Sequence, residues 1–271
     1  MDFYVLYNRF LKKEGYQTLP RRPLEKRKLR YEDVYPVLYL KYRLSRQAER
    51  SNIKHLVIDE MQDYSRLQYL IIRRMFSCKM TILGDRAQTM ADQQQDVLQF
   101  LPGIFGKDLR RIEMRKSYRN TVEIASYAAN LIGVTDLELF ERHGMPVLER
   151  DVTDLEAALR EAVDTLFPDE KTYETAAVIV PDEKTAERAY LILREILAEK
   201  DFDCGKRLSW LNRDSSSFKK GLTVTTFYLA KGLEFDQVFS IFPKDEKREI
   251  MMQAQYIAAT RALHELRVYH I

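Results

Sequence analysis

The chain has only two cysteines among its 271 residues, Cys78 and Cys204, set far apart without Cys-x-x-Cys spacing or neighbouring histidines. That argues against a disulfide framework and against a cysteine-based zinc site. No apolar run approaches the roughly 20 residues needed to cross a bilayer. Met1 leads into Asp2-Phe3-Tyr4 rather than into a basic stretch and an apolar core. No membrane partner is therefore expected, and the cytoplasm is the expected location. An excess of one charge is also missing: 44 basic and 41 acidic residues leave a formal net charge of +3, far short of a nucleic-acid coat protein. Any contact with a polyanion must be local. The richest basic run, Arg21 to Arg30, suits a solvated linker better than a phosphate site. Internal repeats are absent.

What remains is an ordinary globular composition, 45% hydrophobic and 31% charged, at a length that suits one large or two modest domains. The apolar runs Ile53–Ile58 and Met80–Leu83, with a helical stretch near Leu67 to Phe76 between them, predict strand, helix, strand. Each strand runs into acidic residues, Asp59-Glu60 and Gly84-Asp85, at the edge where an open parallel sheet presents its ligand site.

From Leu109 the pattern restarts with a short segment to Met114, helices over 121–132 and 154–167, and a strand over 176–180. A helix capped by Pro181-Asp182 runs to about Lys200. Strands over 222–226 and 238–241, a helix near 253–263 and a last strand over 266–269 complete the chain. The alternation predicts an α/β sandwich on a mainly parallel sheet. Pro102-Gly103-Ile104-Phe105-Gly106 predicts a domain boundary. Ser215-Ser216-Ser217 reads as a surface loop.

Five stretches carry chemistry. Ile58-Asp59-Glu60-Met61-Gln62-Asp63 ends an apolar strand with paired carboxylates, one able to hold a magnesium hydration shell and the other to polarise an attacking water. Taken alone, the pair also suits a helix cap or turn. Gly84-Asp85-Arg86-Ala87-Gln88 adds an acid and an amide at the same sheet edge, with Gln88 suited to a terminal phosphate or the attacking water. Ser117-Tyr118-Arg119-Asn120-Thr121 sets a ring beside a guanidinium, which suits a stacked base and a held phosphate, or else a helix N-capped at Asn120. The fourth and fifth stretches run from Thr225 to Asp236 and from Tyr256 to Leu263.

In this order the five stretches resemble motifs II, III, IV, V and VI of the UvrD/Rep-type superfamily 1 helicases, from about Ile53 to the end of the chain. Tyr228-Leu229-Ala230-Lys231-Gly232, the Thr260-to-Leu266 ending and the Tyr31-Glu32-Asp33 helix start look like the HelD (helicase IV-like) branch. The resemblance implies a RecA-like P-loop NTPase fold, a three-layer α/β/α arrangement on a mainly parallel sheet. Residues 1–105 would be the C-terminal part of a first RecA-like domain and 106–271 a complete second one, with the nucleotide between them. It further implies that Asp59 coordinates magnesium through water, Glu60 is the general base, Gln62 couples nucleotide state to domain closure, and Gln88 senses the γ-phosphate. Tyr118 would stack on adenine, Arg119 and Arg261 would neutralise the transferred phosphoryl group, Gly232 and Glu234 would contact the nucleotide (Glu234 at the ribose), and Thr226 and Tyr228 would face nucleic acid.

The chain departs from this pattern in three places. No Gly-x-x-x-x-Gly-Lys-Ser/Thr is present; Gly106-Lys107-Asp108 and Gly205-Lys206-Arg207 lack both the first glycine and the hydroxyl. ATP and Mg2+ are therefore expected as cofactors only when a P-loop segment, expected upstream of Met1, is present, and the chain alone is expected to hydrolyse ATP negligibly. Thr89-Met90-Ala91-Asp92-Gln93 stands where base-stacking aromatics are usual. Too few residues precede motif V for the extra subdomain of UvrD and Rep, so strand separation by this chain is not expected. The expected function is the C-terminal ATPase portion of an ATP-dependent DNA helicase or translocase acting on single-stranded DNA. The alternatives are an RNA polymerase-binding remodeller of HelD type and a standalone pseudo-ATPase binding module.

Overall fold

The computed structural model describes residues 1–45, 52–85, 88, 96–106, 109–114, 116–134, 138–167, 173–200, 203–215, 220–244 and 249–271. Arg86, Ala87, the 89–93 stretch, Lys107-Asp108 and Ser216-Ser217 lie outside the described residues. The chain divides into two compact units, Met1–Ile112 and Glu113–Ile271. Pro102 and Gly103, which read as a break, lie within a helix that stops only at Gly106, where φ is 80° and the N–H bonds back to Pro102 O. The boundary follows that helix instead.

The first unit begins with helices α1 (Phe3–Lys13) and α2 (Tyr31–Leu44). Tyr7 and Leu11 of α1 pack with Leu19 and with the α2 residues Val37 and Leu40. Asp33, nearly fully buried, is charge-compensated: Tyr7 Oη donates to it at 2.9 Å and Arg30 Nε at 2.6 Å. Burial, then the bond to Asp33, pushes the Tyr7 hydroxyl up to about 12. The opening residues thus form their own small core.

Strands β1 (His55–Ile58) and β2 (Lys79–Ile82) pair in parallel, with Ile58 opposite Ile82. Between them α3 (Arg66–Met75) starts with a reciprocal capping box, Ser65 with Gln68, and α4 (Val97–Phe105) follows β2. Ile58, Tyr69, Val97 and Leu101 fuse these elements into one cluster.

The second unit opens with a two-stranded parallel ribbon, β3 (Lys116–Ser117) with β4 (Glu138–Leu139), on either side of α5 (Val122–Leu131). Its main sheet comprises β5 (Leu148–Asp151), β6 (Thr175–Val180), β7 (Leu208–Trp210), β8 (Gly221–Thr226), β9 (Phe235–Phe242) and β10 (Ala262–His270). All six strands are parallel, in the order β5-β10-β9-β6-β8-β7. Helices α6 (Leu155–Asp164), α7 (Glu183–Ala198), α8 (Cys204–Arg207) and α9 (Glu249–Ala259) supply the connections. Asp154 caps α6 and Asp182 caps α7, each through its carboxylate.

Leu159, Leu193 and neighbours on α6 and α7 pack with Val178, Phe239 and Ile241. Side chains alternate along a strand, so Val238 and Ser240 of β9 turn to the other face, and there α5 and α9 pack on each other and on β10. With helices on both faces, β6 reads as a buried apolar run, as parallel strands do, and β9 is buried along nearly its whole length although it carries Gln237 and Ser240. The fold is α/β, as the alternation of elements predicts.

Candidate functional site

In the first unit the candidate residues sit at the carboxyl ends of β1 and β2. The ladder continues past Ile58, with Leu83 N–H donating to Ile58 O and Met61 N–H to Leu83 O, both at 2.8 Å. Asp59 is exposed, and its Oδ1 accepts the Glu60 N–H at 2.8 Å. Glu60 takes a left-handed conformation, φ 51° and ψ 50°, which costs a non-glycine residue roughly 1 kcal/mol or more. Such strain is kept where surrounding bonds over-determine it. Here Gln62 supplies them: its Nε2 donates to Glu60 Oε2 at 2.5 Å and its Oε1 accepts the Asp85 N–H at 3.1 Å. Gln88 Nε2 in turn donates to Asp85 Oδ2 at 2.9 Å. Glu60, Gln62, Asp85 and Gln88 thus form one continuous hydrogen-bonded series.

Gly84 makes this possible. A Cβ there would lie 2.4 Å from Gln62 Oε1 and 2.7 Å from the Met61 backbone nitrogen. Only glycine lets the two loops approach this closely. The residues also fit magnesium: Asp59 Oδ2 is left to accept from a hydration shell, and Mg2+ needs only one or two carboxylates when phosphate oxygens complete its sphere.

In the second unit two of the nucleotide candidates stand at the amino ends of strands of its own sheet. Glu234 immediately precedes β9 and Arg261 immediately precedes β10. Arg119 Nε lies 2.6 Å from Glu234 Oε1, and both side chains are close to half exposed, at 46% and 43%. Arg261 contrasts with this. It is 1% exposed, and its guanidinium donates to Ile257 O at 3.2 Å, Leu233 O at 3.4 Å and Thr260 Oγ1 at 3.1 Å. It ties the end of α9 to the connection before β9.

Asn120 does not cap α5; Thr121 does, accepting from Ile124 N–H. Asn120 is buried and donates through Nδ2 to Ala262 O at 2.6 Å and Thr260 O at 3.3 Å, which joins the Tyr118-Arg119 loop to the start of β10. Arg142 adds a second tie, donating through Nη2 to Arg119 O at 2.6 Å and to Leu263 O. Neither link has a sequence signal, because each spans more than a hundred residues or meets only backbone carbonyls.

The β3–β4 register puts Lys116, Tyr118, Glu138 and Phe140 on one exposed face. The rings of Tyr118 and Phe140 lie 5.5 Å apart at 37°, and Lys116 Nζ sits 5.5 Å from the first ring centroid and 5.8 Å from the second. Phe140 and Lys116 escape a motif-based reading because only the β3–β4 pairing brings them to the Tyr118 ring.

The connection 227–234 runs from the carboxyl end of β8 back to the amino end of β9. Thr226 and Tyr228 therefore lie at its first end, Gly232 and Glu234 at its second. Gly232 has φ 78°, a turn conformation that favours glycine. Thr226 is buried, and its Oγ1 has no hydrogen-bond partner among the described residues. Tyr228 is half-buried, with the Arg213 guanidinium 5.9 Å over its ring.

Solved structures similar to parts of the chain include three helicases or helicase domains. The C-terminal domain of a possible DNA helicase from Lactobacillus plantarum WCFS1 is 24% identical, with 57% of this chain and 88% of that chain covered and a TM-score of 0.44. A PRRSV helicase is 16% identical, with 80% and 35% covered and a TM-score of 0.44. An arterivirus nonstructural protein 10 (helicase) in complex with DNA is 13% identical, with 83% and 41% covered and a TM-score of 0.41. The chain thus spans well under half the length of either viral protein. A search of curated proteins gives no match. Residues 2–90, which include α1, α2, both strands of the first unit and the whole Glu60–Gln62–Asp85–Gln88 series, match the UvrD/REP helicase N-terminal domain family.

Proposed function

We propose that the chain is the ATPase portion of an ATP-dependent DNA helicase or translocase of the UvrD/Rep type, built from part of one RecA-like domain and a complete second one. The observation that carries this reading is the amide of Gln62, which holds Glu60 Oε2 with one end and the Asp85 backbone with the other. In this role Asp59 would hold the hydration shell of a magnesium ion, and Glu60 would accept the proton of the attacking water. Bound Mg-ATP supplies the phosphoryl group and the charge that positions it. Gln88, drawn toward a terminal phosphate, moves Asp85, and Gln62 passes that movement to Glu60.

Arg119 is the accessible guanidinium for the phosphates, released from Glu234 as Glu234 turns to the ribose. Tyr118 carries the adenine. Arg261 acts on the phosphates only after giving up its bonds to Ile257, Thr260 and Leu233, which join the end of α9 to the connection before β9. Gly232 and Glu234 answer to nucleotide while Thr226 and Tyr228, at the other end of the same connection, answer to single-stranded DNA. Within this superfamily, the Tyr228-to-Gly232 sequence supports a HelD-like branch, for which RNA polymerase is the alternative partner.

Photolabelling with 8-azido-ATP tests the reading. Labelling within the Tyr118 peptide, competed by ATP, is the expected result. Uncompeted labelling, or labelling confined to other peptides, contradicts it.

A further inference from the structure

Helices α2 and α3 pack against each other, and each offers the same spacing of side chains to a shared groove. From α2 come Tyr39, Tyr42 and Arg43, and from α3 come Leu70, Arg73 and Arg74, both at i, i+3, i+4 on one helix face. The groove encloses about 270 Å³, enough for a phosphate with part of its sugar. Arg74 Nε is tied to Tyr42 O at 3.2 Å, which fixes the ends of the two helices side by side. Arg43 and Arg73 are exposed and have no carboxylate partner among the described residues. Basic residues in a last turn complement a helix dipole, but that role needs neither a cavity nor three guanidiniums converging on it. Three like charges around one opening repel one another until an anion enters.

We propose that this groove binds the phosphate backbone of a single nucleic-acid strand, with Arg43 and Arg73 on phosphate oxygens and Tyr39 and Tyr42 beside the sugar or base. Guanidinium pairs with phosphate bidentately, and tyrosines interleaved with cations are the side chains that hold single strands without regard to sequence. An acidic protein segment would use the arginines but leave the tyrosines without a base or sugar to contact. The residues that line the groove include none of the carboxylate series after β1 and neither Thr226 nor Tyr228.

The test is anisotropy of a labelled oligo(dT) with the full chain, without ATP, across a salt series. The double variant R43A/R73A is expected to bind at least tenfold more weakly, with a log–log salt slope flatter by about 1.4 for two lost phosphate contacts on a single strand. Gly103→Glu is an independent variant: Gly103 lines the groove and an added Cβ meets no atom within 4 Å, so a side chain starts there in open space and brings a carboxylate to the arginines. It too is expected to weaken binding at least tenfold while leaving the melting temperature in place. Unchanged affinity and slope in both variants, or no binding by the parent chain, overturns the proposal. So does displacement by polyglutamate as effective as by unlabelled oligo(dT), which would assign the groove to an acidic protein segment.

Discussion

Gln62 donates to Glu60 at 2.5 Å, and the same amide group accepts the Asp85 N–H, so the strained backbone of Glu60 is held by a residue only two positions away. Gln62→Ala removes both bonds and leaves the Asp85 N–H without its acceptor in a partly buried loop. A loss of about 1–3 kcal/mol in stability is expected, read by denaturant unfolding. A variant as stable as the parent would show that the amide does not hold this loop.

Gly84 sits behind that amide with no room for a methyl group. Gly84→Ala is expected to cost about 1–3 kcal/mol, because one clash is with backbone that cannot rotate away. Gly103→Ala, in open space, is the control and should cost nothing measurable or stabilise its helix slightly. Equal melting temperatures for the two variants would contradict the packing described.

Asn120 and Thr121 divide two jobs that a sequence places on one residue. Thr121→Ala removes a helix cap and is expected to cost about 1 kcal/mol. Asn120→Ala strips a buried donor from Thr260 O and Ala262 O, with an expected cost of roughly 1–3 kcal/mol. It should also release the Arg119 loop, seen as faster amide exchange at Arg119. If only the Thr121 variant is destabilised, the loop is not pinned from β10.

The Glu123 carboxyl is held down to about 2, below its ordinary 4.5, first by the hydrogen bond with His143 and then by backbone N–H groups including that of Gly144. A carboxyl depressed on folding stabilises the native state fully above about 4.5, and that contribution is lost as pH falls from there toward 2. Glu123→Gln should therefore flatten the decline in melting temperature over this acid window and leave its slope near neutrality unchanged. An identical acid decline in both proteins would contradict the assignment.

Much of the second unit is legible in its sequence because β6 is an almost wholly apolar run and β8 and β9 are rich in β-branched and aromatic residues. Edge strand β5, Leu-Glu-Arg-Asp, carries no alternation to read, and β3 and β4 are two residues each. Helix α1 is rich in Tyr, Phe and Val, residues that favour strands, so only its docking on α2 reveals it. Pro102 misleads in the other direction, tolerated inside α4. The candidate residues themselves are visible because their order along the chain is distinctive. Their states are not: the burial of Arg261, the pairing of Arg119 with Glu234 and the ring contact of Tyr118 with Phe140 depend on how separate elements pack, which no local pattern records.

The chain contains no phosphate-binding loop, so negligible ATP turnover is expected from it alone. Steady hydrolysis that disappears in Glu60→Gln would show that the phosphates are anchored by other residues.

Backbone amide NMR of the full chain during titration with Mg-ATP tests the central claim most directly, since without requiring turnover it reads the weak contacts that base, ribose and magnesium ligands would keep where no phosphate-binding loop anchors the nucleotide. The account predicts saturable shifts at Glu60, Gln62, Asp85 and Gln88 together with Tyr118, Arg119 and Glu234, and weaker shifts when Mg2+ is omitted. No saturable shift, or shifts confined to residues outside these two groups, would contradict it.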